Sequence, residues 1–277
     1  MLMKCIFIAS RMDKASANTG DFVKKIGNFR GVKECSGLEF YSNGQHLFVE
    51  TEELHIYCNG IDRKIRECGF NENYSCLVFL SSHRSVSGKP SITFHPVGNI
   101  GTAELGGKER SLSPSSPALM THYLLAAHRT DLREHYDITF EATHHGPLVE
   151  MPALFAEIGS TEEQWTDSYT AEALARIVLN AEEAEGINVI GIGGGHYCPR
   201  FRDIALRKKV NFGHVVSHHY VELLDASMCL ELKAKSPDTE NFIVHEANSG
   251  DGENDKVRRL LKDAGFSEIR SEDIELR

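Results

Sequence analysis

The sequence predicts an α/β protein in which helices cover both faces of a mixed sheet. Strand-like and helix-like patterns alternate along the chain after residue 70. The apolar run Cys76–Leu80 is typical of a central strand that is buried on both faces. Leu47–Glu50 and Leu54–Tyr57 flank a short polar turn, which predicts a hairpin and therefore a mixed sheet. No repeat or linker is evident, so we expect one domain over residues 1–277.

The amino-acid composition excludes several classes of protein. The hydrophobic fraction of 41% and the charged fraction of 25% are ordinary for a globular protein. No apolar run approaches the roughly 18 residues that a membrane span needs, so no membrane partner is expected. The seven cysteines show no C-x-x-C spacing, which predicts reduced thiols and a cytoplasmic protein rather than a disulfide framework. The net charge of −10 argues against a general nucleic-acid binder.

The first half of the chain offers several elements. Lys4–Ser10 is the predicted first strand, and the polar segment Arg11–Gly20 is expected to be a loop. Asp62–Gly69 predicts a short helix that ends at its glycine. The segment His95–Pro117 is rich in Gly, Ser and Pro, and so long a loop in a compact protein is more often functional than idle.

The second half continues the alternation of helices and strands. Ser116 and Pro117 predict a helix start, as N-cap and first helical residue, with the helix reaching His128. The pattern Ser160 to Glu163 fits a capping box. Further predicted elements are a strand at Ile138–Thr143, a helix from Tyr169 to Glu185, a strand at Ile187–Ile192, helical structure over much of Phe212–Leu232, a strand at Phe242–His245 and a last helix that stops at Gly265.

Three polar clusters each follow a predicted strand. They are Ser81–Ser85, Glu141–Pro147 and Gly193–Arg200. Ligands of open α/β sheets bind at the carboxyl ends of the strands, so this convergence predicts an enzyme. The third cluster contains three glycines that allow close approach of the backbone, although a tight turn beside a satisfied histidine is the alternative reading.

Two chemistries fit the clustered side chains. A histidine could act as general base on water while Arg200 and backbone N–H groups stabilise an oxyanion. Alternatively, two or three histidines could hold a metal that acidifies water. His144 and His145 can serve one site only if their strand has already ended, which Gly146-Pro147 indicates.

Other patterns are weaker. His214 and His218 stand four residues apart in a predicted helix and could share a metal, or they could lie on a polar helix face. Arg200 to Lys209 is rich in cations, which indicates either a solvated face or a phosphate-contacting patch. No G-x-S-x-G elbow, P-loop or G-x-G-x-x-G turn is present, which disfavours serine hydrolases, nucleotide triphosphatases and dinucleotide enzymes.

Taken together, the motifs resemble one known family. Thr143–Pro147, Gly159–Trp165, Gly191–Arg200, Phe212–His214 and the loop His95–Ala103 with Ser113-Pro114 are similar in order and residue type to the archaeal and plant type of D-aminoacyl-tRNA deacylase. The resemblance implies an enzyme that removes D-amino acids from mischarged tRNA, with zinc as cofactor. It also implies a three-layer α/β/α, phosphorylase/hydrolase-like fold.

The resemblance also implies the site residues. The predicted catalytic residues are Glu141, His144, His145 and His196; the predicted substrate-binding residues are Asn99, Gly193, Gly194, Gly195, Tyr197 and Arg200; and the predicted metal ligands are His83, His145, His196 and His214. The family often has an arginine immediately before the histidine that corresponds to His83. At that position this chain has Ser82. That difference leaves a cationic role at this position open.

The expected partner is the acceptor end of D-aminoacyl-tRNA, bound by a monomer. Two alternatives stay open. One is a zinc-dependent amidohydrolase or phosphorylase-like enzyme that acts on a small metabolite. The other is a tRNA-binding protein without catalysis, in which the histidines are structural.

Overall fold

A computed structural model describes residues 3–245 and 251–277. The strands are β1 Cys5–Ser10, β2 Arg30–Cys35, β3 Leu38–Ser42, β4 Leu47–Thr51, β5 Cys76–Arg84, β6 Ser91–Pro96, β7 Gly98–Asn99, β8 Ser111–Leu112, β9 Asp137–Phe140, β10 Ala153–Ser160, β11 Ile187–Gly193, β12 Val210–Val216, β13 Thr239–His245 and β14 Ser267–Glu268. The α-helices are α1 Lys14–Ile26, α2 Ile61–Glu67, α3 Pro117–His128, α4 Glu162–Trp165, α5 Ser168–Leu179, α6 Pro199–Arg207, α7 His218–Val221, α8 Ala226–Ala234 and α9 Asp251–Asp263.

The larger sheet is mixed, as predicted. Its eight strands run in the order β2-β3-β4-β1-β5-β10-β6-β9. Strand β1 pairs in parallel with β4 and β5, whereas β10 is parallel to β5 and antiparallel to β6. A second sheet, which the sequence did not predict, is parallel and has the order β12-β11-β13-β14.

Alternate residues of the central strands bury opposite faces of the larger sheet. Phe7 and Val78 belong to the core formed with α1, α3 and α5. Their neighbours Ile6 and Leu77 belong to a second core with α2. A third core joins the smaller sheet to α8 and α9. Burial on both faces gives helices above and below the larger sheet, so the predicted three-layer α/β/α class is confirmed.

The predicted loop over residues 11–20 and the predicted hairpin over residues 47–57 are wrong, although the strand at Leu47–Glu50 is present as β4. Residues 14–26 form helix α1, because Asp13 caps it by accepting the backbone N–H of Ser16 at 2.8 Å. Gly20 is small enough for close packing on β4, where an added Cβ would lie 2.9 Å from the ring of Phe48. The expected hairpin is absent, since β4 pairs with β3 and β1, and His55–Tyr57 is a 3₁₀ turn.

The predicted helical structure over Phe212–Leu232 is also wrong in its first part. Strand β12 occupies Val210–Val216, and only the short α7 and then α8 follow. Every residue of β12 is buried, so its apolar pattern carries no two-residue period that would distinguish a strand from a helix. The helix predicted to reach Glu185 ends at Leu179, and the capping box is formed by Thr161 and Gln164, one residue later than predicted.

The prediction of reduced thiols is wrong for one pair. Cys35 at the end of β2 and Cys68 just after α2 form a disulfide, although they are 33 residues apart in sequence. Only the packing of α2 against the sheet edge brings them together, so spacing alone could not indicate the pair.

Within the described residues, no helix is both long and apolar enough to traverse a bilayer.

Candidate active site

The site lies on one face of four neighbouring strands of the larger sheet. His83 on β5, Glu157 on β10 and His95 on β6 face the same side, because β10 residues two apart pair with His83, Ser81 and His95. Glu141 follows the last residue of β9, the next strand in the sheet. Strand order therefore gathers side chains that are up to 74 positions apart in the chain, from His83 to Glu157.

Glu141 is the centre of the cluster. Its carboxylate is fully buried and contacts Nε2 of His196 at 2.8 Å, Nδ1 of His83 at 3.0 Å and Nε2 of His144 at 3.6 Å. Burial alone raises the pKa of Glu141, but the hydrogen bonds from His196 and His83 outweigh it and hold that pKa well below its usual range. The group is therefore a carboxylate surrounded by imidazoles.

Glu157 and His95 belong to the same cluster, and the sequence did not predict either as a site residue. Oxygens of Glu157 lie 3.6 Å from Nδ1 of His83 and 3.6 Å from Nε2 of His95. Burial lowers the pKa of His83, but the hydrogen bonds to Glu141 and Glu157 prevail and raise it to about 11. A sequence signal existed, since Glu157 is the one charged residue of the otherwise uncharged β10.

Three histidines share a pattern of hydrogen bonds. Nδ1 of His95, His144 and His145 contacts the carbonyl oxygen of Pro96, Ala142 and Gly146, respectively, at 2.7–2.9 Å. A carbonyl oxygen only accepts, so Nδ1 carries the proton in each ring and Nε2 is left for another partner. Burial, followed by the neighbouring His95, lowers the pKa of His145 to about 4, so this ring is neutral at pH 7.

These residues fit a metal ion. His95, His144 and His145 offer ligand atoms within 4.8 Å of one another, and so do Glu141, His144 and His196. Nε2 of His95 is buried without a hydrogen-bond partner. Histidines that ligate zinc usually donate their other N–H to a carbonyl or carboxylate, which is the arrangement found here. Both sets contain the nitrogen and oxygen ligands that zinc prefers.

The segment Gly193–His196, which we call the glycine loop, begins at the end of β11. It forms the solvent-exposed side of the cluster. Gly193 and Gly194 have φ of 89° and 78°, and an added Cβ on Gly194 would lie 2.8 Å from Nδ1 of His245. The N–H of His218 donates to the carbonyl of Gly194 at 2.9 Å. The loop delivers His196, whose side chain is 39% exposed, whereas Glu141 beneath it is inaccessible. Water can therefore reach the imidazole and not the carboxylate.

Comparisons with known proteins identify the family. The family model described as D-aminoacyl-tRNA deacylase matches residues 70–269. The chain belongs to the D-aminoacyl-tRNA deacylase family. A D-aminoacyl-tRNA deacylase of Archaeoglobus fulgidus is 33% identical over 97% of each chain, and one of Thermoplasma volcanium is 31% identical over 95% of this chain and 98% of its own. Membership indicates an enzyme that acts on aminoacyl-tRNA.

Two further similarities bear on length and fold. A D-aminoacyl-tRNA deacylase of Methanoregula boonei is 36% identical over 98% of this chain but only 59% of its own length, so this chain spans about three fifths of that relative. A crystal structure described as a conserved protein of unknown function covers 99% of both chains, with a TM-score of 0.91 and 31% identity. The fold is thus shared along the whole matched length.

The structure brings most of the predicted deacylase residues together, but not His214. His214 is fully buried on β12, where Nδ1 contacts Oγ1 of Thr143 at 3.1 Å and Nε2 contacts the carbonyl of Ser113 at 3.1 Å. Both ring nitrogens are engaged, and His214 is in none of the possible metal groups of the described residues. Neither of the two interpretations of His214 and His218 as residues of one helix holds, because His214 lies on β12 and His218 begins α7.

The predicted substrate-binding residues have different surroundings. Arg200 is exposed near His245, and Tyr197 covers His83, with its hydroxyl 3.1 Å from Nε2. The side-chain amide of Asn99 donates to the carbonyls of Gly106 and Lys108, so it holds its own loop.

Two cations of the predicted basic patch are paired with carboxylates. Arg202 pairs with Asp137 and Asp203, each at 2.9 Å. Lys209 pairs with Glu185 and Glu275, each at 3.0 Å. Arg202 and Lys209 are therefore less available to a phosphate than Arg200 and Arg207, which are exposed.

Proposed function

We propose that this enzyme hydrolyses the ester bond between a D-amino acid and the acceptor end of tRNA. Family membership supports the substrate, and the contact between buried Glu141 and half-exposed His196 is the observation that supports the chemistry. Hydrolysis of an ester needs an activated water and a group that stabilises the oxyanion. All the groups in this proposal come from one chain, so we further propose that it acts as a monomer, in the cytoplasm.

The pair Glu141–His196 is suited to activating water. The carboxylate accepts the proton of Nε2 at 2.8 Å, which fixes the tautomer and leaves Nδ1 as the basic nitrogen. No described side chain hydrogen-bonds to Nδ1, and 39% of the His196 side chain is exposed. Nδ1 then takes a proton from water as water attacks the ester carbonyl. Glu141 stabilises the imidazolium that forms, and the same proton is available to the leaving hydroxyl.

The glycine loop is suited to stabilising the oxyanion. Outside strand pairing, the N–H groups of Gly194 and Gly195 donate to no backbone carbonyl in the described part of the chain. The positive φ of Gly193 and Gly194 turns successive N–H groups along the loop, as in backbone anion sites. Arg200 follows on α6 as an exposed cation. These donors lie within a few residues of His196, as concerted attack and stabilisation require.

Zinc fits the same cluster. Glu141, His144 and His196, or His95, His144 and His145, would hold it. Of the predicted ligands, His83, His145 and His196 each belong to a possible metal group of the described residues, whereas His214 belongs to none. Bound zinc lowers the pKa of water to about 7 and polarises a carbonyl oxygen. His83 would keep the carboxylates in place through its contacts with Glu141 and Glu157.

The test is release of tyrosine from D-tyrosyl-tRNA and L-tyrosyl-tRNA. We expect release from the D-ester only, and a loss of at least about a hundredfold in kcat for His196→Ala, because a general base contributes that much or more. His135→Ala is the matched control, since His135 is exposed and outside the cluster. Unchanged turnover by His196→Ala would remove that residue from the mechanism.

Chelation separates the two chemistries. If zinc takes part, release of D-tyrosine should disappear with a chelator and return with added zinc. Release that survives thorough metal removal would support the pair Glu141–His196 alone. Salt-sensitive tRNA binding without release would indicate a binding protein, and release from neither ester with turnover of small amides or nucleosides would indicate the metabolite enzyme.

A further inference from the structure

A second pocket lies beside the cluster, on the far side of Tyr197. It has a volume of about 250 Å³, and its lining includes Ser85, Ser87, Lys89 and Tyr197. Pockets for drug-sized ligands occupy roughly 300–1,000 Å³. This pocket therefore suits one small group better than a whole nucleotide.

A chain of hydrogen bonds connects the cluster to this pocket. Nε2 of His83 lies 3.1 Å from the hydroxyl of Tyr197, which donates to Oγ of Ser85 at 3.0 Å. Oγ of Ser85 lies 2.9 Å from Oγ of Ser87. The chain begins at Glu141, which contacts the other nitrogen of His83.

The direction of this chain follows from counting donors. Tyr197 has one hydroxyl hydrogen, which goes to Ser85, so His83 is the donor to Tyr197. Oγ of Ser85 accepts from Tyr197 and from the N–H of Ser87, so its own hydrogen goes to Ser87. Oγ of Ser87 accepts that hydrogen and the N–H of Lys89. The hydroxyl hydrogen of Ser87 is left to donate outward, at the end of a chain in which each group from His83 onwards donates in that direction.

A cation stands beside this outward donor. Lys89 is exposed, lines the pocket and forms no ion pair with the described carboxylates. Asp137 also lines the pocket, but its carboxylate is paired with Arg202 at 2.9 Å. A hydroxyl donor and a free ammonium at one small pocket are the ligands of an oxyanion.

We propose that the pocket of Ser87 and Lys89 binds a phosphate group, namely the phosphate nearest the scissile ester of an RNA substrate. This assignment rests on the proposed function, because Tyr197 places the pocket next to the groups that would attack the ester. The phosphate would hold the terminal nucleotide in register with His196.

Binding can be measured apart from catalysis. Calorimetry should show that the full-length protein binds adenosine 5′-monophosphate about tenfold more tightly than adenosine, as expected for one charge-assisted contact. Lys89→Ala and Ser87→Ala should each remove most of that difference. Lys25→Ala, at an exposed lysine on α1, should keep it. Equal affinity for the two ligands, or a preference that survives both pocket variants, would overturn the proposal.

Kinetics then identify the source of the phosphate. The 3′-D-tyrosyl ester of adenosine 5′-monophosphate should be hydrolysed with a kcat/KM about tenfold above that of the ester of adenosine, and Lys89→Ala should bring the ratio near one. Inorganic phosphate could instead change the hydrolysis of the adenosine ester, while the 5′-phosphate gives no gain in kcat/KM. That result would assign the pocket to a free anion and overturn the substrate assignment. Equal hydrolysis of both esters refutes only the phosphate site, whereas absence of release from D-tyrosyl-tRNA itself refutes the proposed function and leaves the calorimetric result in force.

Discussion

The two sheets contribute different kinds of groups to the site. The larger sheet supplies His83, His95, Glu141 and Glu157, each at most 6% exposed and each close to an oppositely charged or ionisable partner. The smaller sheet supplies the glycine loop and half-exposed His196. Buried charges are stable only when paired and held by a rigid frame, whereas a loop can expose backbone donors to a ligand. The comparison indicates that the larger sheet fixes the electrostatics and that the smaller sheet provides access.

The largest expected effect comes from removing the negative charge of Glu141, which the larger sheet contributes to the site. Glu141→Gln keeps the shape of the side chain but removes the charge that orients His196. We expect kcat for D-tyrosyl-tRNA to fall by about a thousandfold, within the range of general acid–base contributions. Initial rates and thermal unfolding should be measured together. A fully active, folded Glu141→Gln enzyme would contradict the central role of the carboxylate.

A smaller effect is expected from the glycine loop. In Gly194→Ala the new Cβ would lie 2.8 Å from Nδ1 of His245 at a φ of 78°, so the loop must shift. We expect about a tenfold loss of kcat/KM and a loss of about 1 kcal/mol in the free energy of unfolding. Gly195→Ala is the control for stability, because its Cβ would meet no atom within 4 Å. Equal stability of the two variants would show that the loop tolerates the strain.

The smallest effect on activity is expected for His214, the buried histidine of the smaller sheet. Its contribution should be visible mainly in the free energy of unfolding. Burial lowers the pKa of His214 to about 4, below the 6.5 of an unfolded histidine. Below pH 6.5 the unfolded chain therefore binds a proton that the folded protein does not, and stability falls as pH decreases towards 4. The contribution is about 3 kcal/mol across that window.

Urea unfolding at several pH values between 7.5 and 4.5 measures this dependence. His214→Gln removes the titrating group, so its free energy of unfolding should change less with pH than that of the unsubstituted protein. Since His46 and His145 also have pKa values lowered to about 4, a residual slope is expected in the variant. Identical slopes would mean that His214 is protonated to the same extent in both states.

The sequence was a better guide to the residues of the site than to their partners. The three polar clusters at strand ends do converge, and the ending of the strand before His144 and His145 is as predicted from Gly146-Pro147. Glu157 and His95 were not predicted as site residues, because each lies inside a strand and only strand order places it beside His83. His214 was placed in the site by its family motif, but its hydrogen bonds hold it elsewhere.

By itself, the sequence determined the α/β class, the central strand Cys76–Leu80, the helix after Ser116 and the family, because these depend on local periodicity, capping and motifs. Tertiary structure alone decided the second sheet, the helix at residues 14–26 and the Cys35–Cys68 disulfide. It also decided which carboxylate meets which imidazole. Each of these depends on contacts between segments far apart in the chain, and no local pattern encodes which distant segment will be the neighbour.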